Sequence, residues 1–442
     1  MPAATASIPA VTTAADILLR WPAREPLAAL VSGGSNRTHN GWSIFARPSE
    51  TVVIPANAGR DEVRSILTDA FARTPRMTRA SSRTDANSQT DRRCPFDGGW
   101  IVALGYGLGA AFEDALEPRT DARDPIAVLH WCEDAWIVDH ASGEVAALGE
   151  PPALNEADGT HARAPRRWAI TGFDCSEGDA RYAANVARTV EYIRAGDAFQ
   201  ANIARRFTAR LEGSPRAFAH EAITSNGAWF GTAIDLPSGG ALVSMSPELF
   251  LRVGPDGSVT TRPIKGTRPA TADARELMES GKDAAELAMI VDLMRNDLGR
   301  VADIGTVAVR DARVLETHST VHHGVAEVVA RLRDDVTWLD LLAATFPPGS
   351  VTGAPKVRAM QIIDGLESSP RGFYCGAMGF IARSGHASLN VAIRTAQLGR
   401  PDDRGERPIA YHAGCGIVVE SEPDAEVAET LAKARAIARF VQ

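Results

Sequence analysis

The stretch from Asp179 to Phe207 changes its hydrophobic period partway along, and that change limits the folds open to this chain. Tyr182, Val186, Val190 and Ile193 recur at helical spacing, and Gly196 stands where a C-cap belongs. A strand follows at once: in AFQANIARRF, Phe199, Ala201 and Ile203 take one face while Gln200 and Asn202 take the other. Further on, GALVSMSPELFLRV, a turn at GPDG and SVTTRPI read as successive strands. DAAELAMIVDLMRNDLGRV and AEVAETLAKARAIARFV read as amphipathic helices. Hairpins and helices mixed without regular strand-helix-strand alternation predict an α+β fold.

A chain of 442 residues, 45% hydrophobic and 23% charged, can bury a large core and is too long for one simple pair of layers. The Pro, Gly and charge content of GEPPALNEADGTHARAPRR, Gly149 to Arg167, reads as a connector. It divides an N-terminal region, 1–165, expected to pack on the remainder, from a second region, 166–442. The net charge of −8 argues against a nucleic-acid or membrane-surface partner, which would need a basic footprint. Five cysteines without a CxxC pair suggest neither a disulfide framework nor a zinc site. With no signal-like N-terminus and no apolar run approaching ~18 residues, a cytoplasmic protein is expected.

Two acidic pairs sit three residues apart on the expected helices, Asp283 with Glu286 and Glu426 with Glu429, so each pair shares a helix face. A solvated acidic face would account for either pair alone. Brought together, they suit one hard cation such as magnesium, which takes few protein carboxylates and leaves positions for an anionic ligand. PPGSVTGAPK offers bare backbone, the Thr352 hydroxyl and the Lys356 ammonium. Arg394, expected on a strand in LNVAIRTA, can grip a carboxylate bidentately. Gly414 and Gly416, expected in a loop in HAGCGIVV, let backbone approach an anion closely. In TRPIKGTRPA, Arg262 and Arg268 crowd Lys265, which local sequence leaves open as a surface charge, an anion anchor or a nucleophile. GYGLGA is not a dinucleotide fingerprint, and AGCGI lacks the spacing of a nucleophile elbow around Cys415.

FQANIARRF, SPELFL, PIKGTRP, ELAMIVDLMRNDLGRV, VHHGVAEV, PPGSVTGAPKVRAMQIIDGLE, RGFYCGAMGFI, LNVAIRTA and AGCGIVVESEPDAEVAET, in this order, resemble the chorismate-utilising enzymes. That family spans anthranilate, aminodeoxychorismate, isochorismate and salicylate synthases. The resemblance covers Phe199 to Ala436 and is weak over the N-terminal third. It implies an α+β core of two orthogonally packed sheets flanked by helices, with magnesium and chorismate between them. It further implies Glu286 and Glu429 as metal ligands, with Asp283 and Glu426 in support. Thr267, His323, Thr352, Lys356, Arg394, Gly414 and Gly416 are the implied substrate contacts, and Glu248 the implied acid that helps the 4-hydroxyl depart.

Two positions divide the family by chemistry. Members that add water carry a lysine where this chain has Gln200, and an amide cannot abstract a proton at neutral pH. Ammonia, which needs no such base, is therefore the expected nucleophile. At Lys265 the anthranilate synthases resemble PIAGT, whereas PIKGT resembles the aminodeoxychorismate branch, in which a lysine attacks ring carbon 2 and ammonia resolves the adduct at carbon 4. Arg262, Arg268 and desolvation are expected to favour the free amine. With no glutaminase triad in the chain, a separate glutamine amidotransferase subunit is the expected ammonia source.

Overall fold

A computed structural model describes residues 13–32, 41–74, 94–117, 119, 124–156, 168–175, 177–317 and 321–442. The later part of the connector at 149–167 lies outside these residues. The described strands join in one antiparallel run. It starts at Trp168–Cys175 and passes through Gln200–Gly213, Arg407–Ile417, Thr395–Leu398, Ala241–Ser246, Phe230–Asp235 and Ala28–Val31 to Trp42–Ile54. From there it continues through Ala127–Asp139, Gly99–Leu104, Ala377–Ala382, Ala387–Val391, Leu249–Val253 and Ser258–Arg262 to Val321–Arg331.

Three apolar clusters fix how this run is covered. One lies beneath the helices Arg60–Phe71, Gly281–Gly299 and Trp338–Thr345. Another lies beneath Asp16–Arg20, Pro215–Asn226 and Pro423–Ala438. The third, with Ile44, Ile101, Val128, Ile234, Leu242 and Met378 among its members, contains no helical residue. Strand therefore packs on strand at the centre, and helices cover the outside. Gly99–Leu104 reads as an unbroken apolar run because it is buried along its whole length. Among the described residues no helix is long and apolar enough to cross a membrane.

The boundary expected near residue 165 does not separate two hydrogen-bonded units. Ala28–Val31 lies between Trp42–Ile54 and Phe230–Asp235, and Gly99–Leu104 pairs with Ala377–Ala382. The early strands thus occupy the middle of the run.

Local expectations hold where the pattern is strongly periodic. The helix anticipated from Asp179 spans Gly178–Arg194, and Gly196 beyond it has φ +85°. Ala201 and Ile203 are buried, but Phe199, expected on the same face, is 71% exposed, because the strand begins only at Gln200. Gly414 and Gly416 lie in the strand Arg407–Ile417, opposite Ala204 and Asn202, and not in a loop. Arg394 lies off the strands, between Ala387–Val391 and Thr395–Leu398, with φ +51°.

Candidate active site

Lys265 stands at a bulge. The strand Ile264–Pro269 pairs Lys265 with Gly324 and Thr267 with His323, so Gly266 is the extra residue, and its φ of +78° suits a glycine. The bulge turns Lys265 toward the strand Arg407–Ile417: a Cβ placed on Gly416 would lie 3.0 Å from both Lys265 Nζ and Gln200 Nε2. The missing side chain at Gly416 is thus the space in which the amine and the amide meet. Gln200 is fully buried, and neither atom of its amide is hydrogen-bonded. A buried amide left in that state is costly unless a ligand completes it.

Glu248, just after the strand Ala241–Ser246, is 4% exposed, and its Oε1 has no hydrogen-bond partner. Burial pushes its carboxyl up to about 7, against the opposing pull of the Ser350 hydroxyl, the Lys265 ammonium, the Ile264 backbone and the Arg394 guanidinium. A group in that state can hold a proton at neutral pH and release it to a departing oxygen. Thr267 Oγ1 and His323 Nδ1, on paired residues, lie 2.9 Å apart.

The acidic residues come from two helices. Gly281–Gly299 is capped by Ser280, whose hydroxyl accepts from Asp283 N at 3.2 Å, and it carries Asp283 and Glu286. Burial holds the Glu286 carboxyl above its ordinary range; Lys265 and Lys282 pull it down, while Asp283 and Glu429 push it up. On Pro423–Ala438, Glu426 is buried and accepts from Ser421 Oγ at 2.8 Å. Lys433 holds Glu429 below the ordinary carboxylate range, against burial. Oxygens of Glu426 and Glu429 and the Cys415 sulfur all lie within 4.8 Å of one another. Burial pushes the Cys415 thiol up to about 12, so it is a protonated, soft neighbour and a poor donor to a hard cation.

The positive charge expected to crowd Lys265 is paired off. Arg262 bonds Glu316 at 2.5 Å and Glu327 at 3.2 Å, and Arg268 bonds Asp283 at 2.9 Å. Glu248, Glu286 and Glu429 all feel the Lys265 charge.

Two of the expected substrate contacts are engaged elsewhere. The Lys356 ammonium bonds Asp297 at 2.6 Å and Thr345 O at 2.9 Å in the interior. The Thr352 hydroxyl donates back to Pro348 O and Gly349 O at 3.2 and 3.3 Å, and its carbonyl receives Asn202 N at 2.8 Å. Arg394 gives its carbonyl to Met245 N at 3.0 Å. Sequence reasoning missed Lys433, whose ammonium bonds Gly414 O at 2.7 Å and Glu429 at 2.8 Å. Its position four residues after Glu429 was the available signal, since that spacing puts both on one helix face.

A strand-on-strand core under outer helices thus brings a lysine, a buried acid and helix-borne carboxylates within electrostatic reach of one another, the makings of an enzyme site. The chain belongs to the chorismate binding enzyme family, which matches residues 35–439. It is 35% identical over 450 residues to aminodeoxychorismate synthase component 1 of Klebsiella aerogenes, with 98% of this chain and 97% of that protein covered. It is 36% identical over 441 residues to an anthranilate synthase component 1 of Haloarcula marismortui, with coverage of 91% and 84%. Among solved structures, anthranilate synthase component I from Streptococcus pneumoniae TIGR4 matches with a TM-score of 0.74 at 26% identity, covering 97% of this chain and 99% of that one. The menaquinone-specific isochorismate synthase of Escherichia coli, at 14% identity and a TM-score of 0.69, covers 98% and 92% and shares the fold.

Proposed function

We propose that this chain is the chorismate-aminating component of an aminodeoxychorismate synthase, replacing the 4-hydroxyl of chorismate with ammonia to give 4-amino-4-deoxychorismate. The observation that carries the reading is the meeting of Lys265 Nζ with the Gln200 amide over Gly416, beside an acid that burial lifts to about 7.

The Lys265 amine bonds to ring carbon 2, the two ring double bonds shift, and the 4-hydroxyl leaves as water with the Glu248 proton. The proton shed by the attacking amine restores Glu248. Ammonia then bonds to carbon 4, the double bonds shift back, and the bond from carbon 2 to the lysine breaks. The proton shed by ammonia returns to that nitrogen, so the net change is hydroxyl for amine with release of water. Arg394 and Lys433 are the cations suited to the substrate carboxylates.

Glu286 and Glu429 fit magnesium, with Asp283 and Glu426 outside them: the donors are hard oxygens from two helices whose like charges raise Glu286. These residues would hold Mg2+, which would supply positive charge to offset their carboxylates and the anionic substrate. An amidotransferase subunit supplies the ammonia, in the cytoplasm; a relative named as a component 1 supports a partnered arrangement.

Incubation with chorismate, magnesium and ammonium should yield 4-amino-4-deoxychorismate, identified by mass and by conversion to 4-aminobenzoate with an added lyase. Without ammonium, the peptide containing Lys265 should carry a mass adduct. Anthranilate and pyruvate as the products would overturn the reading in favour of an anthranilate synthase.

A further inference from the structure

Behind the proposed site, a buried ion pair binds together segments that carry its residues. Arg371 lies between the helix Lys356–Leu366 and the strand Ala377–Ala382 and is 3% exposed. Its Nε and Nη2 hold the two oxygens of Glu367 at 2.9 and 2.6 Å. Nη1 donates to Val351 O at 3.1 Å, and Nη2 also donates to Asn202 O. Glu367 Oε1 accepts from Ala204 N at 2.7 Å. The carbonyl of Arg371 receives Gln397 Nε2 at 3.1 Å, and Gln397 Oε1 receives Phe373 N at 2.9 Å.

Each of these contacts is close in sequence to a residue of the site. Asn202 and Ala204 follow Gln200 on one strand, Val351 lies between Ser350 and Thr352, and Gln397 is three residues beyond Arg394. A buried ion pair is poor evidence of stabilisation, because well-packed apolar residues often do as well. Its directed bonds, however, fix spacings that apolar packing would leave looser.

We propose that Glu367 and Arg371 form a positioning pair, which sets the distance between the start of the Gln200 strand and the Ser350–Thr352 turn and so aligns the Gln200 amide for chorismate. This rests on the reading that chorismate reacts at this site. Neither residue touches the reacting atoms; both act through backbone.

The test compares Arg371→Lys with Arg216→Lys. Arg216 is a similar clamp that bonds none of these segments, donating to Pro22 O at 2.8 Å, Glu25 O at 2.6 Å and Asp235 at 2.7 Å. Lysine keeps the charge at either place but lacks the planar fork of donors that spans these acceptors at once. Arg371→Lys should raise KM for chorismate about tenfold or more, the usual scale for residues that orient a site from behind. Arg216→Lys should lower Tm and leave that KM unmoved. If Arg371→Lys lowers Tm while KM stays within about twofold of wild type, the pair is merely structural and the proposal fails. Should Arg371→Lys not fold, Glu367→Gln keeps the acceptor for Ala204 N and weakens the ion pair; it should still raise KM, and an unchanged KM overturns the proposal. Wild-type enzyme inert toward chorismate would instead sink the functional reading, and the positioning role with it.

Discussion

A carboxyl as deeply buried as Glu248 ties both catalysis and stability to pH. Because burial lifts it to about 7, kcat/KM for chorismate should fall about tenfold per pH unit above that value as the acid is lost. Glu248→Gln should cost at least ~100-fold and abolish this limb. The folded value lies above the ordinary 4.5, so the folded state binds the extra proton. The stability this confers is complete below about pH 4.5, drains away as pH rises through about 7, and totals about 3 kcal/mol. Denaturant melts at pH 5 and 8 should show that loss in the wild type and not in Glu248→Gln; equal losses would place the proton elsewhere. Lys356 makes the contrasting case. Lys356→Met leaves Asp297 charged and unpaired in the interior and should destabilise by about 3 kcal/mol or more, whereas adding Asp297→Asn should recover most of it. A substrate anchor would instead leave the double variant stable but with KM for chorismate still raised.

The bulge at Gly266 and the carboxylate-bearing helices carry the predictions that belong to elements. A Cβ at Gly266 would lie 2.5 Å from Leu277 Cδ1 and 2.9 Å from Asp283 Cγ, on a backbone with φ +78°. Gly266→Ala should therefore cost about 1–3 kcal/mol and displace Lys265 from Gln200, seen as a lower Tm and a lost Lys265 adduct; retention of both would refute the geometry. Glu286→Gln and Glu429→Gln should each weaken magnesium binding by calorimetry and cut turnover severely, and full turnover in excess chelator would reject the metal assignment. The helices that carry these acids were legible because each repeats its apolar face over several turns. The two acidic pairs were visible in their helix-face spacing, whereas the acid role of Glu248 and the nucleophile role of Lys265 came from motif resemblance. What local sequence could not convey was long-range pairing. Gly414 and Gly416 look like loop residues in isolation, yet a Cβ at Gly414 would lie 2.6 Å from Ile203 O, so close strand approach is what requires glycine there. The neutralisation of Arg262 by Glu316 and Glu327 was hidden for the same reason, since both partners lie more than fifty residues away.

At the scale of the whole molecule, the early strands hold the two stretches of the run together. Removing residues 1–165 would strip one partner each from Phe230–Asp235 and Ala377–Ala382 and expose apolar inner faces such as Ile234 and Met378. The fragment 166–442 should therefore lack cooperative melting and bind a hydrophobic dye, and a fragment that melts sharply and turns over chorismate would contradict this. The same pairing dictates an order of events as the chain leaves the ribosome. Ala28–Val31 emerges early, but one of its neighbours, Phe230–Asp235, appears some two hundred residues later. Gln200–Gly213 must likewise wait for Arg407–Ile417, so Gln200 and Lys265 cannot face Gly416 until a strand some two hundred residues beyond Gln200 has been made. Pairings of such long sequence separation form slowly and leave strand edges open meanwhile. Newly made chains should thus depend on holding chaperones, and dilution from denaturant should recover activity best at low protein concentration, where the open edges seldom find one another.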